Sequence, residues 1–462
     1  MKTAIVYDKW LTGMGGGEVV ACTMATVLRD CGYNVVFACQ KKVPIEVIKE
    51  KLSVDMKGIT FVEVSSEQDL KLISNLKPPV SNLQSPIDLF INLSFMDYSY
   101  GFAKKNIYYV HFPSAIRSGL FNYVLLFFQK TNFPFVNTQG KHSLFSNHLK
   151  EKINDRLRAG IYIDMRKRLH SYQIIIANSS FTKQWIRKYW NIDAKVLYPP
   201  ITFICHPEFI SGSKNKIPKP LQGQQSPISK HNWICSLGRF FTLGHGKKQE
   251  VMIEAFKVLY DSINLKAQIS NVKSTNQISN PKSQISNDHQ LTTSNQSPTS
   301  SLQSPIANLE LHLIGGVGKE PSSIRFVETL KEMAKGYPIY FHFNATRNEV
   351  EEILLKSKIY WHAAGFGENP EKDPIKFEHF GIAPIEAVSA GCIPILFNGG
   401  GLPEIINILQ LENKLHTFDS INELVQKTAF HLNENQNFSL SSTLICKFTR
   451  DAFSQEFLRL VL

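Results

Sequence analysis

Around Glu378 and Glu386 the chain reads EHFGIAPIEAVSAG, which sets two carboxylates eight positions apart on either side of a helix start. Pro384 suits the first turn of a helix, so we expect Glu378 in the preceding loop and Glu386 in that first turn. The helix would leave the amides around Gly381 and Ile382 unpaired, where they could bind an anion. A carboxylate that accepts two hydrogen bonds suits vicinal hydroxyls, as in ribose or a hexose.

A second candidate segment, GRFFTLGHGKK, follows a short apolar run and carries Arg239, Lys247 and Lys248. Cations at the carboxyl end of a strand lie where open α/β sheets bind ligands. Arg239, whose guanidinium can donate two parallel hydrogen bonds, and Lys247, whose ammonium is a compact charge, could neutralise a diphosphate. Lys248 is the alternative to Lys247. The same side chains could equally be solvated charges of a loop.

A third segment, TGMGGGE, contains Gly15 and Gly16 and ends at Glu18, between the first strand and the first helix. Glycines there allow the backbone to approach a ligand closely, and the helix start favours an anion. Glu18 stands where a dinucleotide fingerprint needs a small residue, so an NAD site is disfavoured. No glycine loop is followed by the G-K-[ST] of a P-loop. A plain tight turn remains an alternative for this loop.

The elements that would position these segments form a repeated α/β pattern. Near-continuous apolar runs separated by helical stretches indicate parallel sheets covered on both faces. The predicted strands are 3–7, 34–38, 59–62, 88–92, 107–110, 174–177, 233–237, 310–314, 339–343, 359–361 and 393–397. Because the pattern restarts near residue 231, two doubly wound domains fit it better than one.

We expect a first domain over 1–200, a Pro/Ser/Lys-rich linker over 201–231 and a second domain over 232–445. A low-complexity insert at 267–308 repeats the tetrapeptide QISN and has almost no periodic apolar content. Such a segment cannot bury enough surface to order itself, so we interpret it as an inserted surface loop.

Composition narrows the class of protein. A hydrophobic content of 43% indicates a globular chain, and no apolar run is long enough to cross a bilayer. The N-terminus shows no signal-peptide pattern, so we expect a cytoplasmic protein. The cysteines include no C-x-x-C pair, which disfavours a zinc site or a disulfide framework.

The net charge of +12 is uneven, because residues 141–188 hold eleven Lys/Arg against three acidic residues. Such a patch suits a polyanion, although a solvated helix face is at least as good an interpretation. Residues 151–170, near the aromatic run 121–135, could form an amphipathic helix against acidic lipid at the inner face of the membrane. The alternative is a crossover helix packed on the sheet. No nucleic-acid-binding module is recognisable, so we do not expect that partner.

Together, the paired glutamates, the Arg239 and Lys247 segment and the glycine loop resemble the retaining GT-B glycosyltransferases of family 4, also called glycosyl transferases group 1. Within that group, YVHFP at 109–113 and FEHFGI at 377–382 are most similar to the α-1,2-mannosyltransferases that extend lipid-linked oligosaccharide. The resemblance implies two Rossmann-like domains facing a central cleft. The first domain would bind the acceptor, the second the donor, and a helix at 448–462 would return to the first.

The resemblance also implies a role for each matched residue. Arg239 and Lys247 would bind the donor diphosphate and stabilise the leaving nucleotide. Glu378 would contact the hexose, Glu386 the ribose hydroxyls, and His111 would lie near the transferred sugar. From the sequence alone, a structural role for His111 is the commoner case. The donor site would be completed by Gly15, Gly16, Gly381 and Ile382.

The function so implied is metal-independent transfer of a hexose, with mannose as a candidate, from a GDP- or UDP-linked donor to a glycan or lipid-linked acceptor, with retention. No cofactor is expected, and the motif loops contain no D-x-D sequence. Two alternatives remain open: a nucleotide-sugar epimerase of the same fold, and a non-catalytic protein that binds sugar nucleotides.

Overall fold

The structure is a computed structural model that describes residues 1–73, 87–115, 165–202, 230–241, 246–276, 308–434, 438 and 440–461. The chain divides into two compact units. The first unit comprises Met1–Thr202, Glu378–Ile382 and Thr443–Leu462, and the second comprises Phe203–Phe377 and Ala383–Ser442. Most of the predicted linker and of the predicted insert, and the segments 121–135 and 151–164, lie outside the described residues.

The first unit contains a parallel sheet of seven strands. These are β1 Thr3–Tyr7, β2 Asn34–Cys39, β3 Thr60–Glu63, β4 Leu89–Asn92, β5 Lys105–Val110, β6 Ile174–Ala177 and β7 Lys195–Val196. Their order is β3-β2-β1-β4-β5-β6-β7, so the chain reverses direction across the sheet between β1 and β4. Such a reversal opens a crevice at the carboxyl ends of the two strands, where open α/β sheets bind ligands.

Helices cover both faces of this sheet. They are α1 Gly16–Asp30, α2 Ile45–Leu52, α3 Glu67–Leu72, α4 Met165–His170, α5 Ser180–Trp190, α13 Ser442–Cys446 and α14 Arg450–Val461. Side chains alternate along β1, so Ala4 and Val6 join the core under α1, α2 and α14, while Ile5 and Tyr7 join the core under α3, α4 and α5. This two-sided burial explains why the strands are apolar throughout.

The second unit contains a parallel sheet of six strands. These are β8 His231–Leu237, β9 Glu310–Gly315, β10 Ile339–Phe343, β11 Ser357–His362, β12 Ile393–Phe397 and β13 Thr417–Phe418. The order β10-β9-β8-β11-β12-β13 repeats the reversal, here between β8 and β11. The helices are α6 Gln249–Asn276, α7 Pro321–Ala334, α8 Arg347–Lys356, α9 Ile382–Ser389, α10 Leu402–Ile408, α11 Asn413–His416 and α12 Ile421–Asn433.

The predicted α/β class with two doubly wound domains is confirmed. Each of the eleven predicted strands is present, with bounds that shift by three residues at most. Strands β7 and β13, which have two residues each and extend the edges of the two sheets, were not predicted. A two-residue strand carries no alternation, so it leaves no periodic signal.

The start of the predicted loop insert is wrong, because residues 267–276 continue helix α6. The helix is anchored earlier, where Met252, Ile253 and Phe256 are buried in the core of the second unit. Once a helix has formed, each added residue gains a backbone hydrogen bond at small cost, so polar sequence can extend it.

The sequence leaves two interpretations of residues 151–170 open, and the crossover helix fits the described part, which includes Met165 and Leu169. Both belong to α4, and both are buried against the sheet beside Tyr172 and Ile175. The described part of the predicted amphipathic helix therefore packs as a crossover helix, with Arg166 and Lys167 exposed and Arg168 paired with Glu67.

Candidate functional site

The glycine loop leads from β1 into α1 and packs closely against two other segments. A Cβ on Gly16 would lie 2.7 Å from Cδ1 of Ile382, and one on Gly17 would lie 3.1 Å from Cε1 of His111. The Gly15 amide donates to Oε2 of Glu18 over 2.5 Å, which satisfies a donor that the helix leaves unpaired. The glycines thus let the loop contact two other predicted site segments, those of His111 and Ile382.

His111 follows β5 and is held in one protonation state. Its Nε2 lies 2.9 Å from the carbonyl oxygen of Leu93, and because a carbonyl can only accept, Nε2 carries the proton. Burial lowers the pKa of His111 to about 4, so the ring is neutral at pH 7. Nδ1 therefore carries a lone pair and can accept a hydrogen bond.

A buried carboxyl, Asp8, lies at the carboxyl end of β1. Burial, and then the charge of nearby Glu18, raise the pKa of Asp8 well above its usual value. The Trp10 amide donates to its Oδ1 over 3.1 Å. Asp8 thus holds the turn after β1 on which the glycine loop is built.

The segment Glu378–Ile382 belongs to the first compact unit, although residues of the second unit flank it in sequence. Ser179 Oγ donates to the carbonyl oxygen of His379 over 2.5 Å. The His379 ring stacks on Phe112 at 4.3 Å between centroids, and the Phe380 ring stacks on Tyr198 at 5.3 Å. Three contacts therefore fix the loop that carries Glu378.

Glu378 itself is half-buried and precedes α9 by four residues, as predicted from the sequence. Between them, Gly381 has a φ of 106°, a conformation that a residue with a Cβ rarely adopts. The glycine therefore allows the sharp turn that directs the chain from the loop into the helix.

Glu386 lies in the second turn of α9, not in the first turn as predicted, because the helix begins at Ile382; it is only 4% exposed. Its two carboxylate oxygens face the guanidinium of Arg347, with Nη2 at 3.0 Å from Oε1 and Nη1 at 3.3 Å from Oε2. Arg347 also donates from Nε to Glu351 over 2.8 Å. The charge of Glu386, the predicted ribose ligand, is thus paired within the second unit.

The predicted phosphate ligands lie after β8. Arg239 is exposed, and it forms no ion pair with any residue that the structure describes. The stem of Lys247 packs over Gly238, where no side chain would fit. Lys248 instead pairs with Glu368 at 2.8 Å, and Lys376 approaches the same carboxylate at 2.8 Å. Lys247 therefore remains the candidate that the sequence analysis gave, with Lys248 as its alternative.

Sequence reasoning missed Arg347, Ser179, Phe112 and Asp8. Arg347 left one signal, because a cation in the first turn of a helix opposes the helix dipole and calls for a local partner. Asp8 left another, because it is a carboxylate directly after a buried strand. Ser179 and Phe112 left none, since their contacts are to a segment distant in sequence.

Two properties of the described residues bear on the kind of site. No group of three or more His, Cys, Asp or Glu side chains in the described ranges is arranged to hold a metal ion. Within the same ranges, no helix combines the length and the apolar character that crossing a bilayer requires.

Residues 299–437 match the family model described as "Glycosyl transferases group 1". This region contains Arg347, Glu378 and Glu386, which were singled out above on other grounds. No curated protein matches the sequence.

Solved structures match over the whole chain. A glycosyltransferase from Rickettsia africae has a TM-score of 0.55 at 14% identity, with 100% of this chain and 98% of that one covered. Anabaena Alr3699/HepE, solved with UDP-glucose, has a TM-score of 0.54 at 12% identity, covering 99% of each chain. Sucrose-phosphate synthase from Thermosynechococcus elongatus has a TM-score of 0.52 at 12% identity, covering 100% and 98%. Residues 299–437 therefore carry a glycosyl transferases group 1 domain, and the two parallel-sheet α/β domains have the GT-B glycosyltransferase fold.

Proposed function

We propose that the protein is a retaining family 4 hexosyltransferase that uses a UDP- or GDP-linked hexose and a glycan or lipid-linked acceptor. The observation that supports this best is Glu386, a buried, ion-paired carboxylate in α9 directly after the Gly381 turn. A carboxylate held in this way is a fixed acceptor for a pair of ribose hydroxyls. Mannose is our first candidate for the hexose, on the resemblance of the FEHFGI segment.

Each remaining residue has a proposed contact with the donor. Arg239 and Lys247 bind the diphosphate and stabilise the charge that develops when it leaves, which makes a divalent ion unnecessary. Glu378 accepts from the hexose hydroxyls, and the amides around Gly381 and Ile382 bind the phosphate. His111, neutral with a lone pair on Nδ1, accepts a hydrogen bond from the transferred sugar.

The proposed reaction exchanges one bond at the anomeric carbon. The bond from this carbon to the β-phosphate oxygen breaks, and the leaving diphosphate keeps the electron pair. The acceptor hydroxyl oxygen forms the new bond on the same face of the sugar, and its proton passes to the leaving phosphate.

The experiment is incubation with UDP- and GDP-linked hexoses, with and without glycan or lipid-linked acceptors and EDTA. We expect acceptor-dependent release of nucleoside diphosphate, with product of unchanged anomeric configuration by NMR and undiminished rate in EDTA. Conversion of the donor hexose to its epimer without an acceptor would instead support an epimerase. Donor binding by calorimetry without any turnover would support a non-catalytic binding protein.

The two glutamates are separated by binding measurements on free diphosphate and intact donor. Glu386→Ala should weaken both about tenfold or more, since both carry the ribose and a hydrogen bond to a charged group is worth about 1.5–3 kcal/mol. Glu378→Gln should leave diphosphate binding nearly intact and lower kcat. Equal losses for both ligands in both variants would contradict these assignments.

We also propose peripheral contact with an acidic membrane surface at the cytoplasmic face. The exposed cations of α4 and α5 support it, among them Arg166, Lys167, Arg187 and Lys188. These helices lie on the same face of the first sheet, because both pack on the core that contains Ile186. Contact would be electrostatic, since the apolar faces of α4 and α5 are turned to that core.

A further inference from the structure

The pairing of Glu386 with Arg347 has a geometry that goes beyond charge neutralisation. The planar guanidinium meets both carboxylate oxygens, at 3.0 and 3.3 Å, and the carboxylate side chain is 5% exposed. A two-point contact fixes the plane of the carboxylate as well as its position. A lysine would give a single charge with no such orientation.

The fork also sets the direction of every hydrogen bond that Glu386 accepts. An ionised carboxylate has about four lone-pair sites, and their directions are fixed once the guanidinium fixes the carboxylate plane. Burial of the carboxylate without this cation would cost free energy.

Arg347 is itself held in place by its own helix. It is the first residue of α8, whose start is capped by Thr346: the Glu349 amide donates to Oγ1 over 3.4 Å, and the Thr346 amide donates to Glu349 Oε2 over 2.7 Å. The Nε contact with Glu351, one turn on, restricts the side chain further. The guanidinium therefore reaches Glu386 from a fixed base, at a helix end where its charge is otherwise unfavourable.

We propose that Arg347 is a positioning residue for nucleoside recognition, which fixes the ionised Glu386 carboxylate in the orientation that accepts the ribose hydroxyls of a nucleoside diphosphate. This inference rests on the proposed ribose role of Glu386. A purely structural ion pair between α8 and α9 is the competing explanation. The two differ in one respect: positioning affects only ligands that carry ribose hydroxyls.

The test compares UDP and GDP with their 2′,3′-dideoxy forms by calorimetric titration. For whichever of UDP and GDP binds, we expect the wild type to bind the ribo form about tenfold or more tightly than the dideoxy form. Arg347→Ala should bring this preference close to one while changing the affinity for the dideoxy form less than threefold. Arg347→Lys should retain part of the preference. Glu351→Gln, which removes the other carboxylate partner of Arg347, is the matched control and should keep it.

The outcomes distinguish the positioning role of Arg347 from the ribose role of Glu386. The positioning role is overturned if Arg347→Ala binds the ribo and the dideoxy form with equally weakened affinity, or if its preference for the ribo form is unchanged. A preference that survives in Glu386→Ala overturns the ribose assignment itself, which is part of the proposed function. A preference lost in Glu386→Ala but kept in Arg347→Ala leaves that assignment in place and overturns only the present inference. If Arg347→Ala does not fold by thermal melting, Arg347→Lys carries the test, and an undiminished preference there overturns the inference.

Discussion

His111 shows at the scale of one residue how burial and a single hydrogen bond set chemistry. Its neutral ring donates a hydrogen bond from Nε2 to the carbonyl oxygen of Leu93, and the lone pair of Nδ1 can accept one. The folded pKa of about 4 lies below the usual value of 6.5, so between these pH values the unfolded chain binds a proton that the folded chain does not. The free energy of unfolding should therefore fall as the pH falls from 6.5 to 4.

Replacement His111→Asn removes this titration while it retains a polar side chain. We expect the free energy of unfolding of the variant, measured with urea between pH 7 and pH 4, to fall less steeply than that of the wild type. His170→Asn, at an exposed position on α4, is the control and should keep the wild-type slope. A wild-type slope in His111→Asn would mean that His111 titrates alike in both states.

Gly381 illustrates a backbone requirement beside the site. Its φ of 106° is strained for any residue with a Cβ, so Gly381→Ala should cost about 1 kcal/mol or more of stability and should lower donor affinity by tilting α9. Gly336→Ala is matched to it, because Gly336 has a φ of 81° with open space where a methyl group would lie, in the turn between α7 and β10. It should lose similar stability without losing donor affinity, and an equal loss of affinity in both would refute the local role.

At the scale of elements, α6 has two parts: a first part anchored in the core through Phe256 and its neighbours, and an extension over residues 267–276. Phe256 and Leu259 are fully buried, whereas Leu265 is 58% exposed. Since residues 267–276 have little periodic apolar content, we expect the extension to contribute little free energy of unfolding.

Replacement of residues 268–305 by a short Gly/Ser loop should therefore leave the melting temperature and the transferase rate near those of the wild type. Phe256→Ala, in the anchored part of the same helix, should instead cost about 3–5 kcal/mol. Thermal melts of both variants give the comparison. A large fall in Tm for the loop replacement would show that the segment packs against the core.

At the scale of the whole molecule, the net charge of +12 is distributed unevenly along the chain. The exposed cations of α4 and α5 occupy one face of its sheet, while α2 carries exposed lysines on the other face, since Ile48 and Leu52 pack into the opposite core. The two faces can therefore be tested against each other with equal changes in charge.

We expect the protein to float with anionic liposomes at low salt and to be released at high salt, because exposed charges are screened. The triple variant Lys167→Gln, Arg187→Gln and Lys188→Gln should abolish flotation. The control removes the same charge from the α2 side with Lys42→Gln, Lys49→Gln and Lys51→Gln, and should still float. Flotation that is absent in the wild type, or lost equally in both variants, would contradict a specific membrane face.

The sequence by itself determined eleven of the described strands, the two-domain α/β class and the placement of the segments around Arg239, Glu378 and Glu386 at a strand end and a helix start. The reason is local: strands buried on both faces must be apolar along their length, and glycine and proline mark the turns. The motif segments lie at strand ends and helix starts, which those same signals place within a few residues.

Only the tertiary structure decided which residues meet. Arg347 reaches Glu386 across 39 positions, and Ser179 holds His379 across 200. The strand orders that bring β1 beside β4 and β8 beside β11 are likewise long-range. Such contacts depend on the packing of whole elements, and no local pattern of polarity or propensity specifies the partner of a buried side chain.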